Sequence, residues 1–405
     1  MAGLSAQRIR ILRLFGRMPS VQKIEARRNV QRRDFERYQK FAASPEYARY
    51  QELRRFQDSG AAEQERERCQ EEVYEGSKEG NLLDEYNALR KEKDVKKKVE
   101  GSAAYRRFLE LQKTVETKDF ADRISYLRDK NKFQRTEAYA KLQELKVLSK
   151  SRELQWYLAR EAKGTFSELL HERVLFFEDF TGSQLDSKHW LPRFFWGDAL
   201  AGRGYSFIGD PHCYTDGENI TIANSALTIE TRPETRKALA WDKELGFLSE
   251  DYAYTSGVIC TGQSFRMQEG RLEVKLRIRS IPGIYHALYL VGDTRAPQID
   301  VFRTTTGKKL GLMSGVIRNE LNTLNADEGV GALPSGSDYF LLRFDWEGTT
   351  LRWSINDTPY MTMENVKGID TPMYLVFVSG VVPDATPAGT AQMTIDWVRC
   401  TSYSK

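Results

Sequence analysis

The residues best suited to chemistry fall in one short run, Gln298-Ile-Asp300-Val-Phe302-Arg303, and in the segment just before it, Tyr285-His286-Ala-Leu-Tyr289. Both runs alternate polar or aromatic residues with aliphatic ones, the period of a β-strand. Simple alternation puts Gln298, Asp300 and Phe302 on one face, whereas a one-residue bulge would bring Arg303 to the place of Phe302. Asp300 is the sole carboxyl of the run. One carboxyl cannot serve as both nucleophile and general acid/base, and a Gln amide neither attacks nor holds a proton near neutral pH. An amide does hydrogen-bond hydroxyls. With the rings of Tyr285 and Tyr289, the groups of His286, Gln298 and Asp300 form a set that grips a hydroxyl-rich ligand, rings against its apolar faces and fixed polar groups at its edges. These five are the candidate ligand-binding residues. His286 reads equally as a proton carrier or as a hydrogen-bonded core residue, and Asp300 as a ligand group or a buried structural acid.

Strands must position these groups, and the sequence supplies them from Val174 onward. Alternating or apolar stretches such as Ala226–Thr231, Gly270–Ile278, His286–Leu290, Phe340–Trp346, Met373–Val378 and Gln392–Val398 sit between Gly-, Asp-, Asn- and Pro-rich turns. Many strands without intervening helical segments predict one all-β sandwich over 173–405. Trp346, Trp353 and Trp397 read as core residues of that sandwich.

The first 172 residues have the opposite character. Pro and Gly are sparse and strong helix formers dominate, which predicts an all-α region, a helical repeat or coiled arm, over 38–172. Ser44-x-x-Tyr47-x-x-Tyr50-x-Glu52-Leu53 matches Ser102-x-x-Tyr105-x-x-Phe108-x-Glu110-Leu111 and Thr136-x-x-Tyr139-x-x-Leu142-x-Glu144-Leu145. Each copy opens on a Ser or Thr suited to an N-cap, and Ser59, Thr117 and Ser151 offer a second cap fifteen residues later. Copies two and three repeat every 34 residues. Helices this charged bury little apolar surface each, so a protein partner or self-association would complete their packing.

At 405 residues two or three domains are expected. Residues 1–172 carry about nine more Lys/Arg than Asp/Glu and 173–405 about five fewer, and the arm over 1–37 alone is about seven positive. That basic amphipathic arm has no recognition motif, so a nucleic-acid partner is not expected. Apolar runs long enough to span a membrane are missing. Ile9–Phe15 lacks the apolar core and cleavage site of a signal peptide, and four widely spaced cysteines form neither a zinc pattern nor a disulfide framework. A reduced, cytoplasmic location is the resulting expectation, with export by a route independent of a signal peptide left open.

In its β-half the chain resembles the family-16 glycoside hydrolases, the laminarinase, lichenase and agarase group with a concanavalin A-like jelly roll. The resemblance runs in order from Val174 to Tyr403. Phe176-Phe-Glu-Asp-Phe180 with Leu185-Asp-Ser-Lys-His-Trp190 resembles the opening strand and its Trp, and Asn219–Ile229 the next hairpin. Tyr254-Thr-Ser-Gly257 and Gly270-Arg-Leu-Glu273 resemble the following strand pair. Gly283-Ile-Tyr-His-Ala-Leu-Tyr289 stands where the family has Gly-x-Trp-Pro-Ala-x-Trp. Asp338–Trp346 and Met393-Thr-Ile-Asp396-Trp-Val-Arg399 resemble the late strands. By this resemblance Gln298 stands at the nucleophile position, Asp300 at the central Asp, and Phe302 or Arg303 at the acid/base, so both catalytic carboxyls are replaced and no catalytic residue is assigned. A retaining glycosidase needs that pair. The resemblance therefore implies a non-catalytic carbohydrate- or partner-binding protein, a lectin-like pseudoenzyme whose partner is a polysaccharide or glycan. A rival reading is an active hydrolase or transglycosylase on a β-linked polysaccharide, using displaced acids of the loop over 240–252, Glu244, Glu250 or Asp251. A third is a structural assembly component, such as a scaffold, fibre or tail. No cofactor is implied except calcium, which many such sandwiches hold on the convex face and which Asp179 with Asp396 would reach.

Overall fold

A computed structural model of the chain describes residues 18–294, 296–306, 311–317, 331–332 and 338–403. The first 17 residues of the predicted basic arm lie outside the described residues. The described chain falls into two compact units, one formed by Arg32–Phe166 and the other by the residues up to Gln31 together with those from Ser167 onward.

The Arg32–Phe166 unit is built of short helices. Pro45–Asp58, Ala103–Val115 and Glu137–Leu148 open the three predicted copies, and their caps form as the spacing requires. The hydroxyls of Ser44, Ser102 and Thr136 accept from the backbone amides of Tyr47, Tyr105 and Tyr139 at 3.1–3.2 Å. Each satisfies one of the amides that a helix start leaves without an intrahelical partner. Thr117 caps the helix Lys118–Arg128 in the same way. Ser59 is the C-cap of Pro45–Asp58 and not an N-cap, because Gly60, at φ 75°, takes the N-cap of Ala61–Glu71; Ser151 is an N-cap without a side-chain bond. A fourth, degenerate copy emerges at Ser77, whose hydroxyl caps Lys78–Leu89 through Gly80. The ninth residue after each cap is buried: Leu53, Tyr86, Leu111 and Leu145. The copies pair through equivalent side chains. Arg49 grips Glu144 at 2.8 and 2.6 Å, and Arg107 grips Glu85 at 2.8 and 3.0 Å, each an Arg five residues past one cap holding a Glu eight past another. The unit is thus a set of short helical pairs rather than one long coiled stalk.

The other unit is a sandwich of two sheets. The larger runs Thr358–Met363, Thr350–Ile355, Phe340–Glu347, Gly270–Arg279, Ala391–Tyr403, Leu227–Asp242, Gly246–Ser256, His212–Tyr214 in hydrogen-bonded order. The smaller runs Gly331–Ala332, Gly311–Ile317, Gln298–Thr304, Ile284–Val291, Tyr374–Val381, Val258–Cys260. Their inner faces share one apolar core that includes Trp190, Trp346, Trp353, Phe344 and Phe377, all at most 1% exposed. Burial of each such side chain stabilises by roughly 1.5–3 kcal/mol. Tyr374–Val381 is buried on both faces, Leu375 and Phe377 inward and Tyr374, Val376 and Val378 in an outer cluster with Phe194 and Phe195. The stretch 240–252 is no loop: it forms the distal part of a hairpin in which Leu227–Asp242 pairs with Gly246–Ser256.

Residues 18–31 belong to this unit and not to a separate arm. Val21 and Ile24 pack on Leu341 and Trp397 on the outer face of the larger sheet, so Trp397 lies beneath the N-terminal helix rather than in the central core. Arg28 binds Glu273 at 2.7 Å and Asp357 at 3.0 Å, and Lys275 bridges Glu25 at 2.8 Å and Asp396 at 2.9 Å. The lysine thus occupies Asp396, while Asp179 accepts from the amide and hydroxyl of Thr181.

Candidate functional site

Two register shifts decide which residues the strand Gln298–Thr304 presents. Against Ile284–Val291 the pairs are Asp300 with Tyr289 and then Phe302 with Leu288; against Gly311–Ile317 they are Asp300 with Gly315 and then Arg303 with Met313. Val301 is the extra residue of a β-bulge, and the hydroxyl of Ser314 donates to its carbonyl at 2.9 Å. Val301 and Phe302 therefore both point into the core, at 1% and 0% exposure. Arg303 swings to the outer face beside Asp300 and Gln298. Simple alternation placed Phe302 there; the bulge removes it.

The outer face so formed carries a closed polar trio. Asp300 is fully buried, and each of its oxygens is engaged: Gln298 Nε2 donates to Oδ1 at 2.5 Å and Arg303 Nε to Oδ2 at 3.0 Å. The Arg303 guanidinium lies 5.2 Å from the centroid of the Tyr285 ring. Burial works against its charge, but Asp300 and the neighbouring tyrosines outweigh that and raise its pKa further. Tyr285 and Tyr289 are half-buried on this same face, with Ala287 and Val291 between and beyond them. Their hydroxyls are pushed above the ordinary tyrosine range by burial, so both remain hydrogen-bond donors.

His286 is different. It shares the inner face with Leu288, its Nδ1 lies 2.6 Å from Ser379 Oγ, and its Nε2 has no partner among the described residues. Burial lowers its pKa to about 3. The predicted ligand residue is thus a neutral core histidine, because alternation from Tyr285 turns it away from the outer face.

The sequence reading missed a histidine that does reach the site. In the short strand His212–Tyr214 the amide of Val381 donates to His212 Nδ1 at 3.3 Å, which leaves the proton on Nε2. Nε2 lies 3.0 Å from the Tyr214 hydroxyl, which lies 3.4 Å from that of Tyr285. Burial lowers the His212 pKa to about 4, so this relay starts from a neutral imidazole. Gly380 makes the approach feasible: a Cβ there would stand 2.5 Å from His212 Nε2 and 2.8 Å from the Tyr285 hydroxyl. The signal was the i, i+2 alternation of His212-Cys-Tyr214 between Asp210-Pro and Asp216-Gly217. Aromatic cover comes from Phe194 and Phe195, with Arg266 over the rings of Phe195 and Tyr374 at 5.5 and 5.2 Å.

The displaced acids lie along the hairpin. Glu244 is exposed at its turn, where its amide bonds Asp242, while Glu250 and Asp251 pair across from Ala238 and Lys237. Among the described residues the one carboxylate–imidazole group with ligand-like proximity is Glu178, Asp186 and His189. Within it, Glu178 accepts from the Phe180 amide and Trp190 Nε1 and lies 3.0 Å from His189 Nδ1. All four cysteines are free and buried, and no described helix is long and apolar enough to cross a membrane.

No family model matches the chain. The endo-1,3-1,4-β-glycanase EglC of Rhizobium meliloti (strain 1021) is 24% identical over 257 residues, covering 58% of this chain and 54% of the relative. ExsH of the same organism, also an endo-1,3-1,4-β-glycanase, is 22% identical over 245 residues, 56% of this chain and 51% of its own. The chain thus spans about half the length of the curated relatives it matches. Among solved structures, the laminarinase catalytic domain of Thermotoga petrophila RKU-1 is 20% identical with a TM-score of 0.47, covering 58% of this chain and 99% of that one. The endo-β-1,3-glucanase of Pyrococcus furiosus is 21% identical at 0.46, covering 58% and 95%. The C-terminal part of the chain resembles the family-16 glycoside hydrolases.

Proposed function

We propose that this protein binds a β-linked glycan through the outer face of its smaller sheet and does not cleave it. The carrying observation is the trio Gln298–Asp300–Arg303. Glycoside hydrolysis needs one group that protonates the leaving oxygen and a second carboxylate that attacks or activates water. A Gln amide has no titratable proton near neutrality, and a guanidinium does not release one. Asp300, the remaining acid, is buried and bonded at both oxygens. What the face does offer suits gripping: two half-buried tyrosine rings and an amide beside a guanidinium fixed in orientation. The glycanase names of the curated relatives support a β-glucan as the ligand class. In this reading the Arg32–Phe166 helices serve attachment or assembly, since their charged faces leave apolar packing for a partner.

Titration calorimetry of the full chain with laminarin and lichenan, beside a reducing-end assay, tests this. Binding without release of reducing ends is expected, and Tyr289→Ala should weaken binding by about 1–3 kcal/mol if the ring stacks on sugar. Sustained release of reducing ends, lost on substitution of Glu244 or Glu250, would establish the hydrolase instead.

A further inference from the structure

We infer that the glycan carries an acidic substituent, a carboxylate or a sulfate, that pairs with the terminal nitrogens of Arg303. This rests on the glycan-binding reading and narrows its ligand class. The single acid of the trio is fully buried, and both its oxygens are spent on Gln298 and Arg303. A ligand arriving from solvent meets the guanidinium above it. That side chain is 24% exposed, and Asp300 holds it through Nε alone. Among the described residues Nη1 and Nη2 have no hydrogen-bond partner. The Tyr285 ring lies against the guanidinium carbon. One bond and one ring fix its plane, leaving the two-nitrogen edge that matches a carboxylate or sulfate fork by fork.

The other charges around this face agree. Arg266 lies over the Phe195 and Tyr374 rings of the same outer cluster; its partner at 2.7 Å is Asp293, which is 71% exposed and so weakly held in water. Asp210, the acid on the loop before His212, accepts from the amide of Phe207 within its own turn. Tyr285 and Tyr289 present hydroxyl donors, not acceptor anions. The accessible polar edge at Arg303 and the two tyrosines is therefore rich in donors. Neutral hydroxyls would use this edge, but a guanidinium fixed by a buried carboxylate gains most from an anion, because charge-assisted bonds are about twice as strong as neutral ones.

The test compares laminarin, carboxymethylated laminarin and laminarin sulfate, one backbone with three charge states, against the full chain by calorimetry at low salt and again with salt raised about tenfold. Binding of at least one acidic derivative about tenfold or more tighter than laminarin is expected, with the margin shrinking at high salt. Arg303→Gln should abolish that margin. Should that variant fold poorly, Asp300→Asn/Arg303→Gln removes both charges together and carries the same expectation. Laminarin bound as tightly as its derivatives overturns the inference and leaves the glycan reading standing. A margin that persists without Arg303 also overturns it, since the preference then comes from basic surface elsewhere. If none of the three binds, the glycan-binding reading itself falls.

Discussion

Removing Arg303 should injure the fold more than removing the acid it holds. Asp300 Oδ2 and Arg303 Nε stand 3.0 Å apart with the carboxylate fully buried. At an effective dielectric constant near 20 their attraction is about 5–6 kcal/mol, part of which offsets the cost of taking the carboxylate out of water. Arg303→Gln leaves that carboxylate buried with only the Gln298 amide, and stripping one partner from a buried pair costs about 3–5 kcal/mol. Asp300→Asn should cost less, about 1–2 kcal/mol, because the exposed edge of Arg303 can still be hydrated. The double variant buries no unpaired charge and should recover at least about 1.5 kcal/mol of the Arg303→Gln loss. Urea unfolding followed by tryptophan fluorescence measures this, since six of the seven tryptophans lie beyond residue 166 and report the sandwich. An Arg303→Gln loss below about 1 kcal/mol, or additive single and double variants, would refute the idea that one ion pair neutralises this acid.

Three further outcomes follow from particular contacts. Phe302→Ala should cost about 3–5 kcal/mol of sandwich stability while leaving glycan affinity of the folded protein within about twofold; a large binding loss with little destabilisation would place the ring on the outer face and contradict the bulge. His286→Gln should flatten the acid side of the stability profile. In the folded protein burial keeps His286 neutral down to about pH 3, whereas the unfolded chain takes up its proton below about 6.5, so stability present above 6.5 is lost as pH falls toward 3, by at most about 1.4 kcal/mol per pH unit for this group. His212, with its pKa near 4, adds to the upper part of that window, so unfolding curves from pH 7 to 4 should show a shallower but persisting slope. Thr136→Ala should destabilise the helical unit by about 0.5–2 kcal/mol by far-ultraviolet circular dichroism, and Ser151→Ala far less, since only Thr136 makes a side-chain cap bond.

Much of the architecture was legible because local chemistry and tertiary structure agree. Alternation announced the strands, and Ser or Thr three residues before a Tyr announced the helix starts at 44, 102 and 136. The copy at Ser77 escaped because Gly80 stands where the others have Tyr, and the shared features, a Glu at the eighth position and a buried apolar or aromatic residue at the ninth, gain meaning only once the helices pair. The candidate site was legible in residue types but not in facing. Period-two reasoning gives one face per strand, and a single extra residue at Val301 reverses everything beyond it. It exchanged Phe302 for Arg303. His286 illustrates the converse: its polar character suggests a ligand group, yet strict alternation between Tyr285 and Ala287 sends it inward to Ser379, the core role its type equally allows. Tertiary neighbours far apart in sequence, such as His212 with Val381, carry no local signal at all.

The three substituents of the bulged strand make sense together rather than singly. With a neutral Gln at 298 and a neutral residue at 303, Asp300 would be a buried anion facing only an amide. With acids at both ends, three carboxylates would crowd one face, a state that requires at least one of them to hold a proton and so brings acid–base chemistry with it. An amide at one end and a guanidinium at the other satisfy both oxygens of the central acid without any proton to share. Each member thus removes a cost that another would impose, and the result is a rigid, hydrogen-bonded floor on which Tyr285 and Tyr289 are held.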